Sequence, residues 1–127
     1  MPAPEDIRST VDSYAERFAE DREGWVSLFA PDATVEDPVG SDLREGHEAI
    51  GEFWDFVHGM VDAVRIVRTG PVRVAGDEAA WPFQIRSTVA GAEMVLDVID
   101  AMTFDDEARI TSMRAYWDMA DMRPADA

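Results

Sequence analysis

Cysteine is absent from the 127 residues, which excludes disulfides and thiol nucleophiles. No apolar run reaches the length of about 18 residues that a spanning helix needs, so no membrane span is expected. The N-terminus, Met1-Pro2-Ala3-Pro4-Glu5-Asp6, lacks the basic stretch and apolar run of a signal peptide. Basic residues are scarce, 11 against 27 acidic ones, for a net charge of −16. A field of that sign repels phosphate backbones and anionic lipid, which argues against nucleic-acid and membrane partners. A solvated acidic surface accounts for most of it. Together these absences lead us to expect a cytoplasmic protein. There is no Gly-rich phosphate loop and no Ser-His-Asp spacing. The two histidines, His47 and His58, have no third ligand in register, so surface or cap roles are expected and no metal site.

Apolar residues make up 46% of the chain, too many for a disordered segment. The length fits one domain over residues 1–127, able to bury roughly two-thirds of its extended-chain surface. Ile7, Val11, Tyr14 and Phe18 recur as one helical stripe, with Pro4, Glu5 and Asp6 as a helix start. A second short helix is expected from about Gly24 to Phe29. Ala33–Asp37 reads as a strand stopped at Pro38, and Gly40–Gly46 as a polar loop. Ile50, Phe53, Trp54 and Val57 form the stripe of a third helix.

From about Val61 onward the period changes to two. Strands are expected around Val64–Val67 and Val72–Val74, flanking Gly70-Pro71. Trp81, Phe83 and Ile85 then alternate with Pro82, Gln84 and Arg86, and Pro82 argues for an edge or bulge there. Met94–Phe104 and Ile110–Trp117 complete the set, with turns at Asp77-Glu78, Gly91 and Asp105–Glu107. The tail after Asp121 is expected to fray. Helices first and strands second imply an α+β fold. Three N-terminal helices against one face of a curved antiparallel sheet would form a cone with an apolar interior.

Three polar groups fall among the apolar positions. Side chains two apart on a strand share a face, so Met94, Leu96, Val98, Asp100, Met102 and Phe104 point one way. A carboxylate on such a face either pairs near a sheet rim or keeps its proton, because burying a bare charge is costly. Protonated, it donates a hydrogen bond. Tyr14 lies on the buried stripe of the first helix, where its hydroxyl needs a partner, a backbone carbonyl being the plain alternative. Asp37 shares a strand face with Val35 and is held extended by Pro38; it is either simple turn chemistry or an acid aimed into the cone. A base with two neutral donors is what proton abstraction beside a carbonyl requires.

Leu28–Ser41 (LFAPDATVEDPVGS), with Val98-Ile99-Asp100 and Ser112–Ala115, resembles the bacterial ketosteroid isomerases of the SnoaL-like, nuclear-transport-factor-2-like (NTF2-like) superfamily. The similarity in spacing and element order runs from about Glu5 to Met119. The resemblance implies an NTF2-like, cystatin-like α+β roll. It implies Asp37 as general base, Tyr14 and Asp100 as oxyanion donors, and a pocket lined by Trp54, Phe83, Val98 and Trp117. In that family a carboxylic acid kept protonated by its apolar site is the recognised case. It further implies a 3-oxo-Δ5-steroid or similar small apolar ketone as substrate, no cofactor, no metal, and a homodimer. The chain departs from the pattern at Trp54, where a Tyr often supports the oxyanion tyrosine; an indole donates but cannot accept.

Two other readings share the architecture. One is another enzyme of this kind, such as an epoxide hydrolase or a polyketide cyclase; the epoxide hydrolase would need an arginine inside the cone beside two acids to activate water, and strand parity turns Arg86 and Arg114 outward. The other is a binding module whose pocket holds an apolar ligand or whose sheet is only a dimer face; it would have no reason to keep a lone protonated acid, Asp100, in its cavity.

Overall fold

The computed structural model describes residues 1–126. Helix α1 (Pro4–Arg17) opens with proline and two acids and ends on Arg17, the charge order that suits a helix dipole. It buries Ile7, Val11 and Tyr14, with Phe18 just past its end. Helix α2 spans Arg22–Val26, shifted from the expected Gly24–Phe29. The cause is Asp21, whose side chain accepts from the Gly24 amide at 2.9 Å and caps the helix early. Phe29 already belongs to strand β1 (Phe29–Glu36). The expected polar loop after it contains a two-residue strand, β2 (Arg44–Glu45), and leads into α3 (Gly46–Gly59).

The second half is strand throughout: β3 (Ala63–Arg68), β4 (Arg73–Ala75), β5 (Glu78–Val89), β6 (Ala92–Phe104) and β7 (Ile110–Tyr116). Through residue 126 the tail after Asp121 is not frayed. A 3-10 turn over Met119–Asp121, capped by Asp118, delivers β8 (Met122–Pro124) to β6, pairing Leu96 with Met122 and Met94 with Pro124. That edge was invisible as periodicity because three residues are too few to show one.

The sheet runs in the order β2-β1-β7-β6-β5-β3, with β4 also on β5 and β8 on β6. It is antiparallel except where β1 lies parallel to β7. The sheet is therefore mixed: β1 leaves the helical half and docks beside the last long strand instead of making a hairpin. Pro82 lies in a gap between the last β3 pair, Arg68 with Phe83, and the first β4 pair, Arg73 with Ala80. In an antiparallel strand a residue's N and O face the same neighbour, so its missing N–H points into that gap and breaks no ladder. Thr69 donates to the Pro82 carbonyl there at 3.2 Å.

Apolar side chains from all three helices and the concave face of the sheet form the core. Trp25 and Trp81 are fully buried within it. Neither α1 nor α3 is long and apolar enough to cross a membrane.

Candidate active site

The strand register brings the sequence's three polar candidates into one neighbourhood. Asp100 on β6 lies opposite Trp81 on β5 and opposite Ala115 on β7. Residues directly opposite in antiparallel strands share a face, so Asp100 points with both into the concave side. The parallel β1–β7 ladder ends with Glu36 beside Arg114, which sets Asp37 beside Ala115. The Val39 amide donates to the Ala115 carbonyl at 2.8 Å and ties the Asp37-Pro38 turn to β7. Tyr14 arrives from α1, its ring boxed by Phe18, Trp25, Phe29 and Trp81, the last edge-on at 5.8 Å between centroids.

A cavity of about 460 Å³ opens over this group, within the usual range for small-molecule sites. Tyr14, Asp37, Phe83, Val98 and Trp117 line it. Most of the remaining wall is apolar, including Phe53, Val57, Val64, Ile85 and Leu96. Met60, Met94, Met119 and Met122 also line it, while Met102 and Met113 are core.

Two candidates lie outside the wall. Asp100 is fully buried one strand step beyond Val98, behind the cavity surface. Trp54 is also behind it, packed on Phe18 at 5.3 Å, on Trp25 at 5.6 Å and flat on His58 at 3.9 Å. One residue on a helix is a rotation of about 100°. Phe53 and Val57 therefore meet the cavity while Trp54 faces α1 and α2.

The electrostatics follow from burial. Removal from water holds the Asp100 carboxyl well above the ordinary carboxylate value, and the Asp37 charge pushes the same way. Neither Asp100 oxygen has a hydrogen-bond partner among the described residues. Tyr14, a neighbour of the carboxyl, opposes that rise. Burial also lifts the Tyr14 hydroxyl well above its ordinary value, with Asp100 and then Asp37 adding to it. Asp37 is raised as well, chiefly by burial. Two partners restrain that rise, the Trp117 indole N–H, which donates to Asp37 Oδ1 at 2.6 Å, and the positive charge of Arg44. The arrangement is a phenol beside a buried acid of raised proton affinity, with a second carboxyl that is basic for its type.

Sequence reasoning assigned Trp117 to the pocket wall but missed its bond to Asp37, and it missed Arg44 altogether. Arg44 pairs with Val35 across β1 and β2, and its guanidinium lies over the rings of Phe53 at 5.1 Å and Phe56 at 5.8 Å. The only signal was the alternation of Val35 and Asp37, which becomes useful once the partner strand is known. Arg86 donates to Gln84 and Glu93, and Arg114 to Glu36; neither lines the cavity. Asp97 turns to the outer face, where Gln84 and Arg123 meet it. His47 and His58 bond backbone carbonyls of Phe29, Trp54 and Ala19. Among the described residues, no cluster of three or more His, Cys, Asp or Glu could hold a metal ion.

Comparison with known proteins agrees with this architecture. The family model for the SnoaL-like domain matches residues 9–113. A steroid Delta-isomerase from Nocardioides simplex is 42% identical over 96 residues, covering 76% of each chain. Among solved structures, SalBIII, an epoxide hydrolase/cyclase-like enzyme with a role in pyran ring formation in the polyether salinomycin, superposes with a TM-score of 0.88. It is 27% identical, over 98% of this chain and 99% of that one. On the strength of the domain match and the isomerase relative, this chain belongs to the SnoaL-like family within the NTF2-like superfamily.

Proposed function

We propose that this protein is a cofactor-independent isomerase that moves the double bond of a 3-oxo-Δ5-steroid, or a similar β,γ-unsaturated ketone, into conjugation. The observation that carries this reading is a carboxyl, Asp37, on the wall of an apolar cavity, with the Tyr14 phenol beside it and the fully buried Asp100 behind, the proton affinity of all three raised by burial. Asp37 removes the proton between carbonyl and alkene. The electron pair moves onto the carbonyl oxygen, and Tyr14 and Asp100 donate hydrogen bonds to the dienolate oxygen. Asp37 then returns the proton two carbons away, so no atom is gained or lost.

The energetic logic is one of matching. A base raised toward neutrality accepts a carbon-bound proton more readily than an ordinary carboxylate does. Donors already desolvated in an apolar site need little reorganisation as negative charge develops on the oxygen. Asp100 can donate only while protonated, and its burial keeps it so.

The isomerase relative supports this reading, and the cyclase-like neighbour supports a second one, ring closure or epoxide opening by the same acids. Water activation of that kind calls for an arginine in the cavity. Arg86 and Arg114 are engaged elsewhere, and Arg44 covers Phe53 and Phe56 from outside the wall. The test is the ultraviolet absorbance of enone formation from 5-androstene-3,17-dione, run with wild type and Asp37→Asn. Turnover should fall by at least the 10²- to 10⁴-fold typical of a lost general base, that range being about what positioned proton transfer supplies. Equal turnover in the two proteins would remove Asp37 as the base.

A further inference from the structure

Apart from aromatic residues, two buried side chains among the described residues carry a polar group: Asp100 and Ser87. Both face the concave side of the sheet, at opposite ends of one strand pair. Asp100 lies opposite Trp81, whereas Ser87, six residues farther along β5, lies opposite Met94 on β6 and Val64 on β3. Six residues of strand measure about 20 Å along the backbone, an upper bound on the separation because the sheet twists and curves. Ser87 lines the same cavity as Tyr14, Asp37 and Trp117. Those three gather at the reacting end. Around Ser87 the wall is Val64, Val89, Met94 and Leu96, all apolar.

A hydroxyl in such a wall loses its water when an apolar ligand fills the cavity, and stranding it costs binding energy. A ligand that brings an oxygen to the same point restores the bond. We propose that Ser87 is a specificity-determining contact for a second oxygen, a ketone or hydroxyl, at the end of a rigid ketone remote from the reacting carbonyl. The identity of the reacting end rests on the isomerase reading; the polar contact at the far end does not. The substrate class this selects is an elongated polycyclic ketone oxygenated at both ends. A skeleton of the same shape without the distal oxygen is discriminated against.

The test compares wild type with Ser87→Ala and Ser87→Thr on 5-androsten-3-one, 5-androstene-3,17-dione and 5-pregnene-3,20-dione. The quantity read is the ratio of KM for a dioxygenated ketone to KM for 5-androsten-3-one. The ratio should rise about three- to tenfold in Ser87→Ala, the weight of one neutral hydrogen bond, and return toward wild type in Ser87→Thr. Dissociation constants for the corresponding 4-ene-3-ketones, read by quenching of the intrinsic tryptophan fluorescence, should show the same change without any turnover. A uniform change across the three ligands, or none, overturns the assignment and leaves Ser87 a wall residue. Absent turnover with a Ser87-dependent binding ratio would sink the isomerase reading and keep this one.

Discussion

Trp117 donates its indole N–H to Asp37 across 2.6 Å, joining the residue just past β7 to the residue just past β1. The bond holds the proposed base against the cavity wall and stabilises its charged form. Burial pulls the other way and is the larger effect. Trp117→Phe removes the donor while keeping most of the ring. Asp37 should then bind its proton more tightly, and the acid limb of the kcat/KM profile should move to higher pH. Arg44→Met should move it in the same direction by less, with Arg44→Lys holding the wild-type position. The profile measured by enone absorbance checks all three, and a limb that stays put in both Trp117→Phe and Arg44→Met would count against Asp37 as the titrating group.

Asp100 should matter to the chemistry through its proton. Asp100→Leu removes the donor and should lower kcat by about 10²- to 10³-fold, the usual weight of one oxyanion contact. Asp100→Asn keeps an N–H that can donate and should cost less. A larger loss in Asp100→Asn than in Asp100→Leu, in single-turnover rates, would contradict a donor role.

The same residue should weaken the fold at neutral pH. Its folded proton affinity is raised above the unfolded value of about 3.8, so the native state holds a proton that the unfolded chain has released. Unfolding then becomes easier as pH rises from the carboxylate range toward the folded value, and the favourable contribution is complete only below about pH 3.8. Asp100→Asn, which has nothing to ionise, should therefore be more stable than wild type at pH 7. The gain should shrink toward pH 4. Urea midpoints at the two pH values measure the difference; a gain that grows on acidification would reverse the sign.

Ala90 adopts φ 52° and Gly91 φ 82° in the hairpin between β5 and β6. Two left-handed residues make a type I′ turn, for which Asn-Gly is the favoured pair. The alanine methyl costs about 1 kcal/mol or more in that conformation. Ala90→Asn should raise stability by up to about 1 kcal/mol by the same reckoning, read as a higher denaturant midpoint with an unaltered slope.

Several features could be read from the chain because they are local. The stripe Ile7, Val11, Tyr14, Phe18 is a property of 3.6-residue geometry, and the four side chains are buried as that stripe requires. Strand parity likewise put Leu96, Val98, Asp100, Met102 and Phe104 on one face, and all five are buried. Parity also turned Arg86, Asp97 and Arg114 outward. Other features could not be read in this way. The parallel docking of β1 on β7, the attachment of β8 to β6 and the approach of Arg44 to Asp37 all depend on pairings between distant segments. Trp54 shows the same limit: helical period made it apolar-facing, but only the packing of α1 and α2 decided that it faces Phe18 and Trp25 and not the cavity.

The order of the longer helices and strands and the presence of an acid on an otherwise apolar strand face follow from the amino-acid sequence alone, because backbone geometry sets which neighbours share a side. That Tyr14, Asp37 and Asp100 converge, and that Trp117 reaches Asp37, was decided by the tertiary structure. Those groups come from four separate elements, and their distances depend on strand register and on how the helices close over the sheet, which no local pattern encodes.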